Sequence, residues 1–231
     1  MTSSAREGLL SHQTDGAAKA AAPGLRQIAA TVLFTDIEDS TGLARTLGVN
    51  GIAQFLRRHC ELVESCVRAH QGVFLGCTGD GVLAFWGDAP TPHAEPARRA
   101  LLAAADLGRR ITEENLCRQA AGLPTRRVRV GIHSGEVGLE EGRKSGDLPR
   151  LYGATAHEAR RIEQAGKKVV AAGEEVVVMT SESTLRLAHL GTEVIRRPAA
   201  PQAYNGCPHA LCRSCSAIQV DPAAVIASLS D

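Results

Sequence analysis

Residues 30–41 read ATVLFTDIEDST, and residues 75–85 read LGCTGDGVLAF. In the first stretch Thr31, Val32, Leu33 and Phe34 form a strand-favouring run that ends at Asp36. Ser40 and Thr41 stand where the next helix would begin, with hydroxyls suited to capping its free amides. In the second stretch Gly79-Asp80-Gly81 is a tight-turn signal between two apolar runs, which predicts a β-hairpin with Asp80 at its tip. Each stretch thus delivers one carboxylate from a strand end. Side by side, two such carboxylates can hold two hard cations against a polyphosphate. Taken singly, an Asp at a strand end is usually a cap and Gly-Asp-Gly usually only a turn. The pairing carries the reading.

The chain has 231 residues, enough for one domain with a substantial core. Its 44% apolar and 22% charged residues are those of a soluble globular protein, and a net charge of +1 points to neither a nucleic-acid nor a membrane surface. Aromatic residues make up only 3%, which argues against base stacking on exposed rings. No apolar run approaches a membrane span, and the N-terminus lacks a secretory core. The expected location is the cytoplasm, with all seven cysteines as reduced thiols.

Residues 1–28 show no sustained period and read as a mobile leader, with one short helix at Gly16–Ala22. After the first strand, a short helix is expected at Ser40–Leu47, ended by Gly48, and a second from Asn50 to Ala69. Gln71-Gly72 leads into the hairpin around Asp80, and Gly87–Pro92 is a loop. A long Ala/Leu/Arg-rich helix is expected at Glu95–Gln119. Val128, Val130 and Ile132 alternate with Arg129 and Gly131 as a strand that runs into His133, a candidate core histidine. Glu140–Pro149 reads as an exposed hairpin loop, Thr155–Gln164 as a helix, Val176–Met179 as a strand and Ser181 as the start of another helix. Past Gly191 three prolines prevent long elements, with a last strand at Ala217–Val220. There is no internal repeat. The fold class is α+β, a ferredoxin-like sandwich with a mostly antiparallel sheet covered by helices. The divisions are 1–28, a catalytic domain at 29–190, and a Cys-rich extension at 191–231 that completes the sheet.

The four stretches FTDIEDST (34–41), TGDGVLAFWG (78–87), VRVGIHSGEV (128–137) and LYGATAHEARRIE (151–163), in this order, resemble the catalytic domain of class III nucleotidyl cyclases. The resemblance covers roughly Ala29 to Leu190, and the 44-residue separation of Asp36 from Asp80 is typical of that family. It implies a lyase that converts a nucleoside triphosphate to a 3′,5′-cyclic monophosphate and pyrophosphate. Asp36, Asp80 and the Ile37 carbonyl would bind two divalent cations, Mn²⁺ or Mg²⁺. One would lower the pKa of the ribose 3′-hydroxyl and the other hold the triphosphate. Amides around Asp39, Ser40 and Thr41 would cradle the phosphates. Arg161 would neutralise charge developing on the α-phosphate, and His157 would donate a hydrogen bond where the family has Asn; at i and i+4 they share one helix face. The family's sites form between subunits, so a head-to-tail homodimer is implied, with neither nucleic acid nor membrane as a partner.

The base-reading positions depart from the family's pattern. Adenylate cyclases place Lys and Asp where this chain has Gly76 and Arg150. Gly76 has no side chain and Arg150 only donates, so adenine loses the acceptor its amino group needs. Guanylate cyclases usually carry an acid at the first position, which is also missing. Arg150 can reach the carbonyl oxygens of uracil or cytosine, and this resembles the pyrimidine cyclases of bacterial anti-phage signalling. The implied substrate is UTP or CTP, and the product a second messenger in antiviral defence. Alternatives are an adenylate or guanylate cyclase with an atypical base pocket and a silent nucleotide-binding homologue. Taken alone, Arg150 is equally a solvated loop residue.

Cys207, His209, Cys212 and Cys215 crowd into nine residues, a spacing that can close a zinc site. A structural site usually draws on two separated ligand pairs, so the expectation is a reduced Cys-rich tail rather than zinc. Cys60, Cys66, Cys77 and Cys117 are expected in the core. The triphosphate-binding C-terminal Lys of the family has no counterpart near Tyr204–Pro208, and Arg196 and Arg197 read equally as phosphate contacts or surface charges.

Overall fold

The long strand β1 (Leu25–Ile37) lies between two antiparallel neighbours and fixes the register of both. The structure, a computed structural model, describes residues 24–87, 94–142, 147–168, 174–197 and 217–229. The expected Gly16–Ala22 helix and the cluster Cys207, His209, Cys212 and Cys215 lie outside them. On one side of β1 runs β3 (Gly81–Trp86), which hairpins with β2 (Val73–Thr78); on the other runs β4 (Val128–Glu140). β6 (Val176–Ser181) joins β4 in parallel, and β8 (Ala217–Val220) and β7 (Ile195–Arg197) extend the sheet beyond it. β5 (Arg150–Tyr152) pairs with the far end of β4. Among the described residues the sheet has eight strands, in the order β2-β3-β1-β4-β6-β8-β7 with β5 beside β4, and all its pairings but β4–β6 are antiparallel. This is the expected α+β sandwich.

Helices cover both faces. On one face lie α1 (Ser40–Ala69), α2 (Ala94–Ala120), α4 (Glu182–Leu187) and α5 (Pro222–Leu229), around a core that includes Leu33, Ile37, Leu62, Leu101, Ile111, Val130 and Ile132. On the other lies α3 (Ala154–Ala165), packed on β4 and β1 over Ile28, Val32, Phe85 and Val137. Gly131 makes that second contact possible. A Cβ there would run into the Ala159 carbonyl and the Glu163 amide, so only glycine lets α3 press onto β4.

Several expectations change. Leu25–Ile28, assigned to the leader, are strand, because the long β4 offers partners as far as Glu140. The break expected between two helices after β1 does hold: α1 departs from helical geometry at Gly48 (φ 67°, ψ 176°). The cap is Asp39 rather than Ser40 or Thr41: it takes φ 53° and its carboxylate accepts from the Gly42 amide at 3.1 Å. β4 continues unbroken through His133, and α5 was not foreseen, although Asp221-Pro222 is a cap followed by a first-turn proline. The Asp221 carboxylate accepts from the Ala223 amide at 2.9 Å.

The cysteine expectation is corrected in three of four places. Cys66 is buried as expected, but Cys117 is exposed. Cys60 of α1 and Cys77 of β2 form a disulfide, with Cα atoms 6.3 Å apart. It ties the helix to the strand that leads to Asp80. The loop it closes spans 17 residues, and its closure stabilises by about 3 kcal/mol in the chain-entropy account. Cys60→Ser should lower the melting temperature of the oxidised protein by roughly 6–12 °C. In excess reductant the variant and the wild type should melt together, which calorimetry with and without reductant checks.

Candidate active site

Thr35 of β1 pairs with Val82 of β3, so the next residue, Asp36, comes alongside Gly81 and the hairpin turn. Thr78 pairs with Gly81 and leaves Gly79 and Asp80 as the two turn residues. Gly79 has φ 71°, as the first central position of such a turn requires. A side chain at 81 would meet the Thr35 carbonyl at 3.0 Å, so glycine there keeps the hairpin against β1. The two carboxylates therefore come near enough for the charge of Asp80 to act on Asp36. Burial, followed by the negative charge of Asp80, pushes the Asp36 carboxyl above its ordinary value, against the opposing charges of Arg129 and Lys167. Below the hairpin, burial and the nearby Arg126 hold His59 neutral, with a pKa lowered to about 3.

On its other side Asp36 forms an ion pair with Arg129, the residue opposite it on β4. The same guanidinium donates to Glu163 of α3 at 2.7 Å, and the Arg129 and Glu163 side chains are only 4% and 3% exposed. Burial raises the Glu163 pKa, while Arg129 works against that rise. This trio was not foreseen in the sequence. Its signal lies in the helix LYGATAHEARRIE, where Glu158 and Glu163 fall on the buried stripe with Thr155, Ala159 and Ile162.

The first turn of α1 starts three residues after Ile37 closes β1. The Asp39 carboxylate already takes the Gly42 amide, so an incoming phosphate is left the amides of Ser40 and Thr41. Gly76 sits at a bulge in the β2–β3 pairing with φ 113°, a conformation side chains avoid. The nearest atom to a Cβ there would be Leu148 Cδ1, at 3.7 Å. Leu148 and Arg150 line one cavity of about 380 Å³ with Glu140, Glu141 and Asp147. The two expected base-reading positions are thus neighbours through Leu148, a half-exposed apolar residue the sequence reading passed over. On α3, His157 is exposed, and Arg161 donates to Glu158 at 2.9 Å.

Asp36 and Asp80 fit divalent cations. Both donors are hard oxygens, Ile37 directly follows Asp36 with its carbonyl, and two repelling carboxylates gain from a cation between them. Among the described residues no group of three or more His, Cys, Asp or Glu gathers, so this oxygen set is what the fold offers. Because the folded-state pKa of Asp36 is raised, its ionisation costs stability as pH climbs above 3.8 and through the folded value. Asp80→Asn removes the repulsion, and should raise the melting temperature of metal-free protein at pH 7 by a few degrees. The same change should abolish the stabilisation that Mn²⁺ gives the wild type. Differential scanning calorimetry with and without Mn²⁺ reads both effects.

Residues 26–203 match the family described as the adenylate and guanylate cyclase catalytic domain. Adenylate cyclase 1 of Rhizobium meliloti is 32% identical over 169 residues, which are 70% of this chain and 25% of that relative. The chain thus spans about a quarter of that relative's length. Among solved structures, the adenylyl cyclase CyaB from P. aeruginosa superposes with a TM-score of 0.69 at 19% identity, covering 85% of this chain and 95% of that one. The guanylate cyclase domain of RhGC from Catenaria anguillulae, in complex with GTP, superposes with a TM-score of 0.66 at 19% identity, covering 85% and 98%. The expected fold is thereby matched in known structures, and the chain belongs to the adenylate and guanylate cyclase catalytic domain family.

Proposed function

We propose that this chain is a nucleotidyl cyclase that closes a nucleoside triphosphate to its 3′,5′-cyclic monophosphate with release of pyrophosphate. The observation that carries this reading is the meeting of Asp36 and Asp80 at adjoining strand ends, in a fold whose family performs that chemistry. Asp36, Asp80 and the Ile37 carbonyl hold two divalent cations, Mn²⁺ or Mg²⁺. When bound, these supply Lewis acidity toward the 3′-hydroxyl and the triphosphate. Asp39, Ser40 and Thr41 frame the helix start, where the Ser40 and Thr41 amides bind phosphate oxygens. Arg129 keeps a positive charge beside Asp36 and tempers the local negative potential that a triphosphate must enter.

Arg161 neutralises charge on the α-phosphate and His157 donates to it. As the family resemblance implies, these groups serve the carboxylates of a second copy. A head-to-tail homodimer with sites at its interface follows. Residues 29–190 carry these groups, and the extension after residue 190 adds strands to the sheet. The Cys207, His209, Cys212 and Cys215 cluster takes no part, and we assign it no zinc. Among the described residues no helix is long and apolar enough to cross a membrane. We assign the enzyme to the cytoplasm, where its substrate is made.

For the base, we infer a pyrimidine, UTP or CTP. Leu148 lines the pocket beside Gly76, while Arg150 donates to a base carbonyl. Glu141 and Asp147 in the same cavity supply acceptors for an exocyclic amino group, which favours cytosine over uracil. The resemblance of the altered base pair to anti-phage cyclases suggests a product that signals in antiviral defence. The second reading is ATP, favoured by the adenylate cyclase of Rhizobium meliloti and by the same donor–acceptor set, which also meets N1 and N6 of adenine. Turnover of each of the four NTPs with Mn²⁺ should give cyclic CMP or UMP as the main product, and cyclic AMP as the main product overturns the pyrimidine assignment. Asp36→Ala or Asp80→Ala should cut turnover of any NTP by at least about a thousandfold while leaving the dimer intact by light scattering. Retained turnover refutes the metal assignment.

A further inference from the structure

Glu158 lies three residues before Arg161 on α3, and its side chain is only 9% exposed. Its carboxylate accepts from Arg161 Nη1 at 2.9 Å, and the Arg161 side chain is itself held down to 20% exposure. A solvated i,i+3 pair contributes little to holding a long side chain, but this pair is withdrawn from water on both sides. His133 of β4 is buried, and Glu158 lies close enough for its charge to act on the imidazole. The ring's Nδ1 is 2.8 Å from Ser181 Oγ. Ser181 Oγ is 2.9 Å from Thr184 Oγ1, which is 3.0 Å from Ser134 Oγ, and Ser134 Oγ is 2.9 Å from Thr31 Oγ1. This run of hydroxyls crosses β6, α4, β4 and β1, with Thr31, Ser134 and Thr184 on the sheet face opposite α3. A carboxylate on the buried stripe of a helix is costly unless it is paired, and Arg161 is a partner it has.

We propose that Glu158 is the positioning residue of this cyclase: from the buried stripe of α3, its carboxylate fixes the Arg161 guanidinium in the orientation that meets the reacting phosphate. This rests on the reading of Arg161 as the group that neutralises the α-phosphate. Glu158 touches no substrate; it acts by removing rotamer freedom from a side chain that must already be in place when charge develops.

The test is steady-state kinetics on the full chain, with each NTP and Mn²⁺, for Glu158→Ala, Glu158→Gln, Arg161→Ala and the double variant. Glu158→Ala should lower kcat about tenfold or more, with KM within about twofold. Glu158→Gln keeps an oxygen that accepts from the guanidinium and should restore most of the loss. In the Arg161→Ala background, Glu158→Ala should cost nothing further, because its effect passes through the missing guanidinium. An unchanged kcat in Glu158→Ala, or an equal loss in both backgrounds, overturns the proposal while leaving the role of Arg161 intact. Full turnover by Arg161→Ala overturns that role, and the proposal with it. Should Glu158→Ala fail to fold, Glu158→Asp draws the carboxylate back by one carbon; it must then lower kcat with KM kept, and an unchanged kcat is the contrary result.

Discussion

Asp36 stands between a buried cation and a neighbouring anion, and the rest of the molecule can be traced from that position. Arg129 faces it across the β1–β4 ladder and reaches on to Glu163, so one guanidinium joins the central strand pair to α3. The Asp80 carboxylate arrives from the other side on the β2–β3 hairpin, and with burial it drives the Asp36 pKa upward. An unfavourable pair of like charges persists only where surrounding structure holds it. Here the β1 register, the turn at Gly79, the close approach at Gly81 and the disulfide at Cys77 all do so. A divalent cation held there, as we propose, would relieve that strain.

The glycines show how closely the sheet and the site are linked. Gly131 admits α3 onto β4, and α3 brings His157, Glu158, Arg161 and Glu163 with it. Gly76 makes a bulge where the family has a base-reading side chain, and Leu148 comes in over the gap. A lysine at 76 would have to take a positive φ it resists. The base pocket we propose therefore differs from the family's pattern in backbone as well as in side chain.

Much of this was legible in the sequence because the signals were local. Strand residues before Asp36, Gly-Asp-Gly at a hairpin tip, and the helical stripe of α2 each specify their element within a few residues. The interactions that were missed are long-range. Leu25–Ile28 become strand only because β4 extends to meet them, and Arg129 looks like an outward-facing strand residue until α3 covers it. Cys60 and Cys77 read as core thiols until α1 is laid over β2. Asp39 displaced Ser40 as the cap because its carboxylate can reach back to the Gly42 amide from a left-handed backbone, a choice propensity does not reveal. Leu148 had no local signal; its importance comes from the glycine it lies against.

The central claim is that the carboxylates of one copy work with α3 of another. Mixing Asp36→Ala and Arg161→Ala proteins, each inactive alone, tests it most directly. A heterodimer holds one intact site, with Asp36 from one subunit and Arg161 from its partner. Random exchange should therefore restore about a quarter of wild-type cyclisation. A mixture as inactive as its components, under conditions where subunit exchange is verified by mass, contradicts the account.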